Sequence, residues 1–205
     1  MQSKKTSSWL AVLLAAGMCG LVLGATENLM FDPAHTDVQF KVRHMMINNV
    51  KGSFSGAKGH FVVDDSNLAG TKVDATINTG TIDTGNQMRD KHLKSPDFFD
   101  TAKYPTITFR STSFEKTGDD KYKLVGKLTM HGVTKEVTWD VDNFSKPVKD
   151  PWGVPHRGFS AATKLNRTDF GLKWNKALEA GGVMVGETVE VSVDAELIPE
   201  TKAKN

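Results

Sequence analysis

"ETVEVSVDAEL", residues 187 to 197, is apolar and polar by turns. Val189, Val191, Val193, Ala195 and Leu197 fall on one face, and Glu190, Ser192, Asp194 and Glu196 on the other. Successive strand side chains point to opposite faces, so a period of two sustained over this length reads as a strand with one buried and one wetted face. The same pattern recurs upstream. "HTDVQFKVRHM" places Val38, Phe40, Val42 and His44 together. "TKVDATINT" groups Val73, Ala75 and Ile77; "TITFRSTSF" groups Ile107 and Phe109. "TGDDKYKLVGKLTM" opens on a hairpin turn and then aligns Tyr122, Leu124, Gly126, Leu128 and Met130. "VTKEVTWDV" aligns Val137, Trp139 and Val141, and "RGFSAATKL" aligns Phe159, Ala161, Thr163 and Leu165. "VKGSFSGAKGHFVVDD" is a further strand pattern, holding Phe54, and its glycines at 52, 56 and 59 predict sharp bends or bulges.

That makes about eight strands, each half wetted, which fits an antiparallel sheet and not a parallel sheet covered by helices. The fold expected is all-β, a closed barrel or a two-sheet sandwich, and closure has the advantage of removing edge strands. Two segments break the period. Asn86 to Lys94 predicts two helical turns, ended before Pro96. Residues 169 to 186 predict one short helix around Asn175 to Ala180, stopped by Gly181 and Gly182. Both read as insertions at barrel ends.

The chain has 205 residues, enough for one domain with a sizeable core. Residues 1–24 read as a signal peptide: Lys4 and Lys5 precede "WLAVLLAAGMCGLVLG", an apolar or small run with cleavage expected beside Ala25. The alternative is an uncleaved anchor, for which the run is short. Residues 25–205 then form a single domain outside the cytoplasm that is not an integral membrane protein. The only cysteine, Cys19, leaves with the signal, so thiol catalysis and cysteine-ligated metals are excluded. Removing the two signal lysines from the 26 basic residues leaves 24 against 24 acidic ones. A net charge of zero without a basic patch sets nucleic acid aside as a partner.

An eight-stranded barrel is either filled by side chains or hollow enough for one small ligand. Patterning leaves both open: the inward set mixes Val, Leu, Phe and Trp with Ala75, Ala161, Ala195 and Gly126. If hollow, the lining by strand parity is Val38, Phe40, Val42, Phe54, Val73, Ile77, Phe109, Leu124, Leu128, Met130, Val137, Trp139, Phe159, Val189, Val191 and Val193. A bulge that flips a strand would overturn its members together.

Catalytic motifs are missing: there is no HExxH, GxSxG, phosphate loop or dinucleotide fingerprint. The six histidines, 35, 44, 60, 92, 131 and 156, are isolated in sequence, and no metal site or catalytic residue is expected. His44, on the inward parity, either meets a polar head group or is a core histidine bonded to a backbone carbonyl; the second is preferred. "MRDKHLKSPDFFD", residues 88 to 100, looks catalytic but has poor spacing for it, because Asp90 and His92 point apart on a helix. It reads as a cap, with Leu93, Phe98 and Phe99 turned inward, Asp97 capping a helical turn after Pro96, and Arg89 and His92 as candidate head-group contacts. Arg167 and Asp169 in "NRTDFG" read as an ion pair fixing a turn, with Phe170 packed inward. Trp152 reads as a rim residue over a cavity mouth or a loop anchor.

Taken in order, "FDPAHTDVQFKVRHM", "VKGSFSGAKGHFVVD", "DKHLKSPDFFD" with its following "YP", "LTMHGVTKEV" and "NRTDFGLKW" closely resemble the YceI-like family of polyisoprenoid-binding periplasmic proteins, from about Met30 to Leu197. The resemblance implies a lipocalin-like, eight-stranded antiparallel barrel. It also implies a binding protein, not an enzyme, that holds a long isoprenoid or isoprenoid-quinone-like lipid in an apolar tunnel for sequestration or transport. No cofactor is implied beyond such a lipid, and a homodimer is left open. An enzyme acting on a bound lipid, or a solid-core structural barrel, are the alternatives.

Overall fold

The computed structural model describes residues 26–179 and 181–202. The signal expected over residues 1–24 lies outside the described residues. The strands are β1 (Glu27–His44), β2 (Asn48–Phe54), β3 (Lys58–Val63), β4 (Lys72–Asn78) and β5 (Ile82–Asp83). Helix α1 (Gln87–Leu93) comes next, then β6 (Thr106–Gly118), β7 (Lys121–Met130), β8 (Val133–Asp142), β9 (Val148–Lys149), β10 (Pro155–Asn166) and β11 (Val185–Pro199). The strands pair antiparallel. β2 and β3 run one after the other beside β1, and β4 and β5 run beside β3 and β2, so each of these pairs acts as one broken stave. The ring then passes through β6, β7, β8, β10 and β11, and β11 pairs back onto β1, closing an eight-stranded barrel. Each of the eight strand patterns in the sequence corresponds to one stave.

The glycine expectation is corrected in part. Gly56, at φ +66°, does break the stave between β2 and β3. Gly52 and Gly59 are not bends. The Phe40 ring lies over Gly52, and the Phe31 and Phe61 rings lie over Gly59, where any Cβ would collide with them. β1 starts well before the alternation shows, because Pro33 interrupts it: proline has no N–H to give the ladder. Its register against β11 slips between Phe31 and Thr36. Within the resulting bulge, Asp32 Oδ1 accepts the Ala34 N–H at 2.8 Å.

One end of the barrel is solid. Phe114 and Tyr122 stack at 4.6 Å, and the Phe144 ring stands edge-on to both, at 5.4 and 5.8 Å. Leu197 and Val63 are fully shielded there. Halfway up, the Phe109 ring sits over Gly126, whose Cα also faces the Arg110 carbonyl. Gly126→Ala should therefore cost about 1–3 kcal/mol, since an added methyl meets backbone as well as a ring; a urea denaturation series measures this directly.

The opposite end carries the insertions. Asn86 caps α1, its side chain accepting the Arg89 N–H at 3.0 Å, and the helix stops at Leu93. The helix expected around Asn175–Ala180 does not form. The Asn175 side chain bonds both the N–H and the carbonyl of Val185, Ala177 bridges Val183, and Gly181 and Gly182 turn the chain at φ +84° and +90°. A local hairpin satisfies these backbone groups, so the helix has no advantage; Ala180 itself lies outside the described residues. Among the described residues, no helix is long and apolar enough to cross a membrane.

Candidate functional site

Between the solid aromatic end and α1 the barrel is hollow. The cavity measures about 210 Å³. One water needs only ~10–15 Å³ on a comparable measure, so this is no packing defect. Phe31, Phe61 and Phe159 form its floor, with ring centroids 4.9 to 6.4 Å apart. Its walls come from alternate residues of β1, β4, β6, β7, β8, β10 and β11. Leu93, Phe98 and Phe99, from α1 and the turn after it, cover the other end, with Phe99 edge-on to Phe54 at 5.7 Å. Apart from Gln39, which alternation turns outward, and Arg167, every lining residue is apolar.

All the liners expected from parity border this cavity except Val137. Val137 is buried on the expected face but pairs with Gly126, and the Phe109 ring seated there fills the space between it and the cavity. The three candidate head-group contacts do not line it. His44 lies past a register shift between Val42 and His44, half-exposed at the end of β1, and is not the core histidine expected. Arg89 donates to Thr84 Oγ1 and the Thr84 carbonyl, both at 2.7 Å. His92 bonds Asp97 at 2.8 Å, and its ring stands edge-on to Phe98 and Trp174. Asp97 is thus spent on His92 and caps no helix. Trp152 is 85% exposed and stands at the solid end, away from the cavity.

Arg167 overturns another expectation. It forms no ion pair with Asp169. It is 5% exposed and donates to the carbonyls of Gly186, Val185 and Leu172. Burial pushes its guanidinium below the ordinary value, opposed by the charge of Glu187. This clamp ties β11 to the turn after β10 and seats Phe170 and Leu172, 2% and 4% exposed. The sequence held a signal for it: continuing β10's inward parity from Leu165 reaches Arg167. Val185 keeps the inward parity of Val189 but is separated from it by Glu187, while Leu172, which also lines the cavity, sits in an aperiodic stretch that offers no such signal. The remaining motif residues hold the capped end together. The His131 ring packs on Tyr104 at 4.5 Å and bonds the Phe170 carbonyl at 3.2 Å, while Thr79 donates to the Tyr104 carbonyl.

The profile of the YceI-like domain matches residues 29–197. Protein YceI of Escherichia coli is 41% identical over 154 residues, 75% of this chain and 80% of its own. The crystal structure of the Campylobacter jejuni YCEI protein superposes with a TM-score of 0.65 at 33% identity, covering 82% of this chain and 96% of that one. A polyisoprenoid binding domain from Saccharophagus degradans shares the fold, with a TM-score of 0.60 at 14% identity over 85% of this chain and 99% of that one. With the hollow barrel, its capping segment and these likenesses together, the chain belongs to the YceI-like family.

Proposed function

We propose that the protein binds a long-chain isoprenoid or isoprenoid-quinone-like lipid in the barrel cavity and sequesters or carries it through the periplasm. The observation that carries this reading is the cavity lining, apolar from floor to cap. Water is poorly accommodated in such a space, whereas a hydrocarbon gains ~0.8 kcal/mol per buried methylene, or about 4 kcal/mol per five-carbon unit before ordering costs. The isoprenoid class is supported by the name of the Saccharophagus degradans domain that shares the fold. The periplasmic setting rests on the expected export signal together with the resemblance to periplasmic members of the family. Binding is favoured over turnover because acid–base chemistry on a bound lipid needs paired titratable groups. Among the described residues, Arg167 is the ionisable residue lining the cavity, and its donors are committed to carbonyls.

Trp139 lines the wall, so it reports occupancy. Titrating delipidated protein with a polyprenol should shift and saturate its emission, and Trp139→Phe should lose the signal while retaining uptake measured by extraction. A wild-type emission that never saturates, with no polyprenol co-purifying, would contradict the proposal.

A further inference from the structure

Histidines isolated in sequence converge on the outer wall, at the seam where the barrel closes. The bulge in β1 presents Asp32 and His35, and the outward face of β11 presents Glu196 beside them. One donor atom from each lies within 4.8 Å of the others. The separations are 2.9 Å from Asp32 Oδ2 to His35 Nδ1 and 3.7 Å from His35 Nδ1 to Glu196 Oε2. A tetrahedral ion with ligands at about 2.0–2.2 Å has edges of about 3.3–3.6 Å, so an ion would replace the Asp32–His35 hydrogen bond and widen that pair slightly. A second histidine supports the set. His156 on β10 places Nδ1 3.2 Å from Glu196 Oε2, and its Nε2 lies 3.4 Å from Asp150. Asp150 is itself fixed by the N–H groups of Trp152 and Val154. Glu196 Oε2 thus faces both histidines, and a ligating carboxylate is commonly held by a hydrogen bond of this kind.

We propose that Asp32, His35 and Glu196 form a site for a divalent transition ion of the zinc type, with His156 orienting Glu196 and the remaining position open to solvent. Mixed imidazole and carboxylate donors select such an ion over magnesium or calcium, which take oxygen ligands. Lys149 and Arg157 border the same depression; Arg157 is held by Glu27 and Asp65, and Asp150 adds one carboxylate to the two among the donors. The ion ties the β1 bulge to β11 where their ladder is interrupted, and so staples the closing seam. The site faces outward, separate from the lipid cavity, and stands or falls independently of the proposed binding function.

The test uses tag-free, chelator-stripped protein titrated with zinc chloride by calorimetry, with magnesium chloride in parallel, and thermal unfolding with and without zinc. One zinc should bind per chain, magnesium should not, and zinc should raise the unfolding temperature. His35→Ala and Glu196→Gln, checked for folding by circular dichroism, should each weaken zinc binding at least tenfold. No saturable zinc binding, an equal response to magnesium, or unchanged affinity in folded variants would overturn the site.

Discussion

Leu128→Lys should abolish lipid uptake. Leu128 is 5% exposed and lines the cavity on β7, among apolar neighbours. An ammonium there has to draw water into the cavity or lose its proton, and either outcome costs several kcal/mol relative to an apolar wall. The same cost weighs on folding, so Ala161→Phe provides the complementary case. Ala161, 6% exposed, borders the hollow from β10, and a ring placed there fills space without adding charge. If it displaces four methylenes of the guest, the loss is about 3 kcal/mol, roughly a hundredfold in Kd. Its melting temperature should hold or rise, because filling a cavity recovers packing. A folded Ala161→Phe protein that takes up lipid as the wild type does would place the ligand elsewhere.

The second large effect concerns the solid end. Arg157 is 3% exposed and donates to Glu27 at 2.9 and 3.0 Å, to Asp65 at 2.7 Å and to the Ser145 carbonyl at 3.2 Å. Burial pulls its guanidinium down, and the two carboxylates more than restore it. Replacing Glu27 and Asp65 together by Gln and Asn leaves that cation buried without a counter-charge. The expected cost is about 3 kcal/mol, the low end for an uncompensated buried charge, because Glu27 and Asp65 are 35% and 56% exposed. For a chain of this size that corresponds to a fall of about 6–12 °C in Tm. Arg157→Met removes the buried charge itself and should cost ~1 kcal/mol or less. If Arg157→Met proves the more destabilising of the two, the cluster contributes through attraction and not through avoided desolvation.

Alternation located the strands because every stave has one wet face, and period two survives wherever a ladder is regular. It failed at the irregularities. Pro33 concealed the start of β1, and Asn175's bonds to Val185 replaced an expected helix with a hairpin. Parity also put on the inward face most side chains that border the cavity, since one inward face serves cavity and solid core alike. It could not divide the two. That division depends on which rings lean over which glycines: Phe109 over Gly126 screens Val137, while Ala75 and Ala161 are left bordering open space. The charged residues of "MRDKHLKSPDFFD" read as a cap, yet their individual partners were not legible. Asp97 meets His92 only after the chain turns at Pro96, and Arg89 is held by Thr84, which no helical spacing identifies. The meeting of His35 with Glu196 and His156 is set by the pairing of β1 and β10 with β11, elements far apart along the chain.

The hollow half of the barrel is where the lipid is expected to sit. Native mass spectrometry of the protein purified from its native host, followed by organic extraction, tests this most directly. The predicted result is a mass above that of the protein alone, removed by extraction and recovered as an isoprenoid lipid, and restored when a polyprenol is added back. A single mass equal to the bare chain, unchanged by added polyprenol, would contradict it.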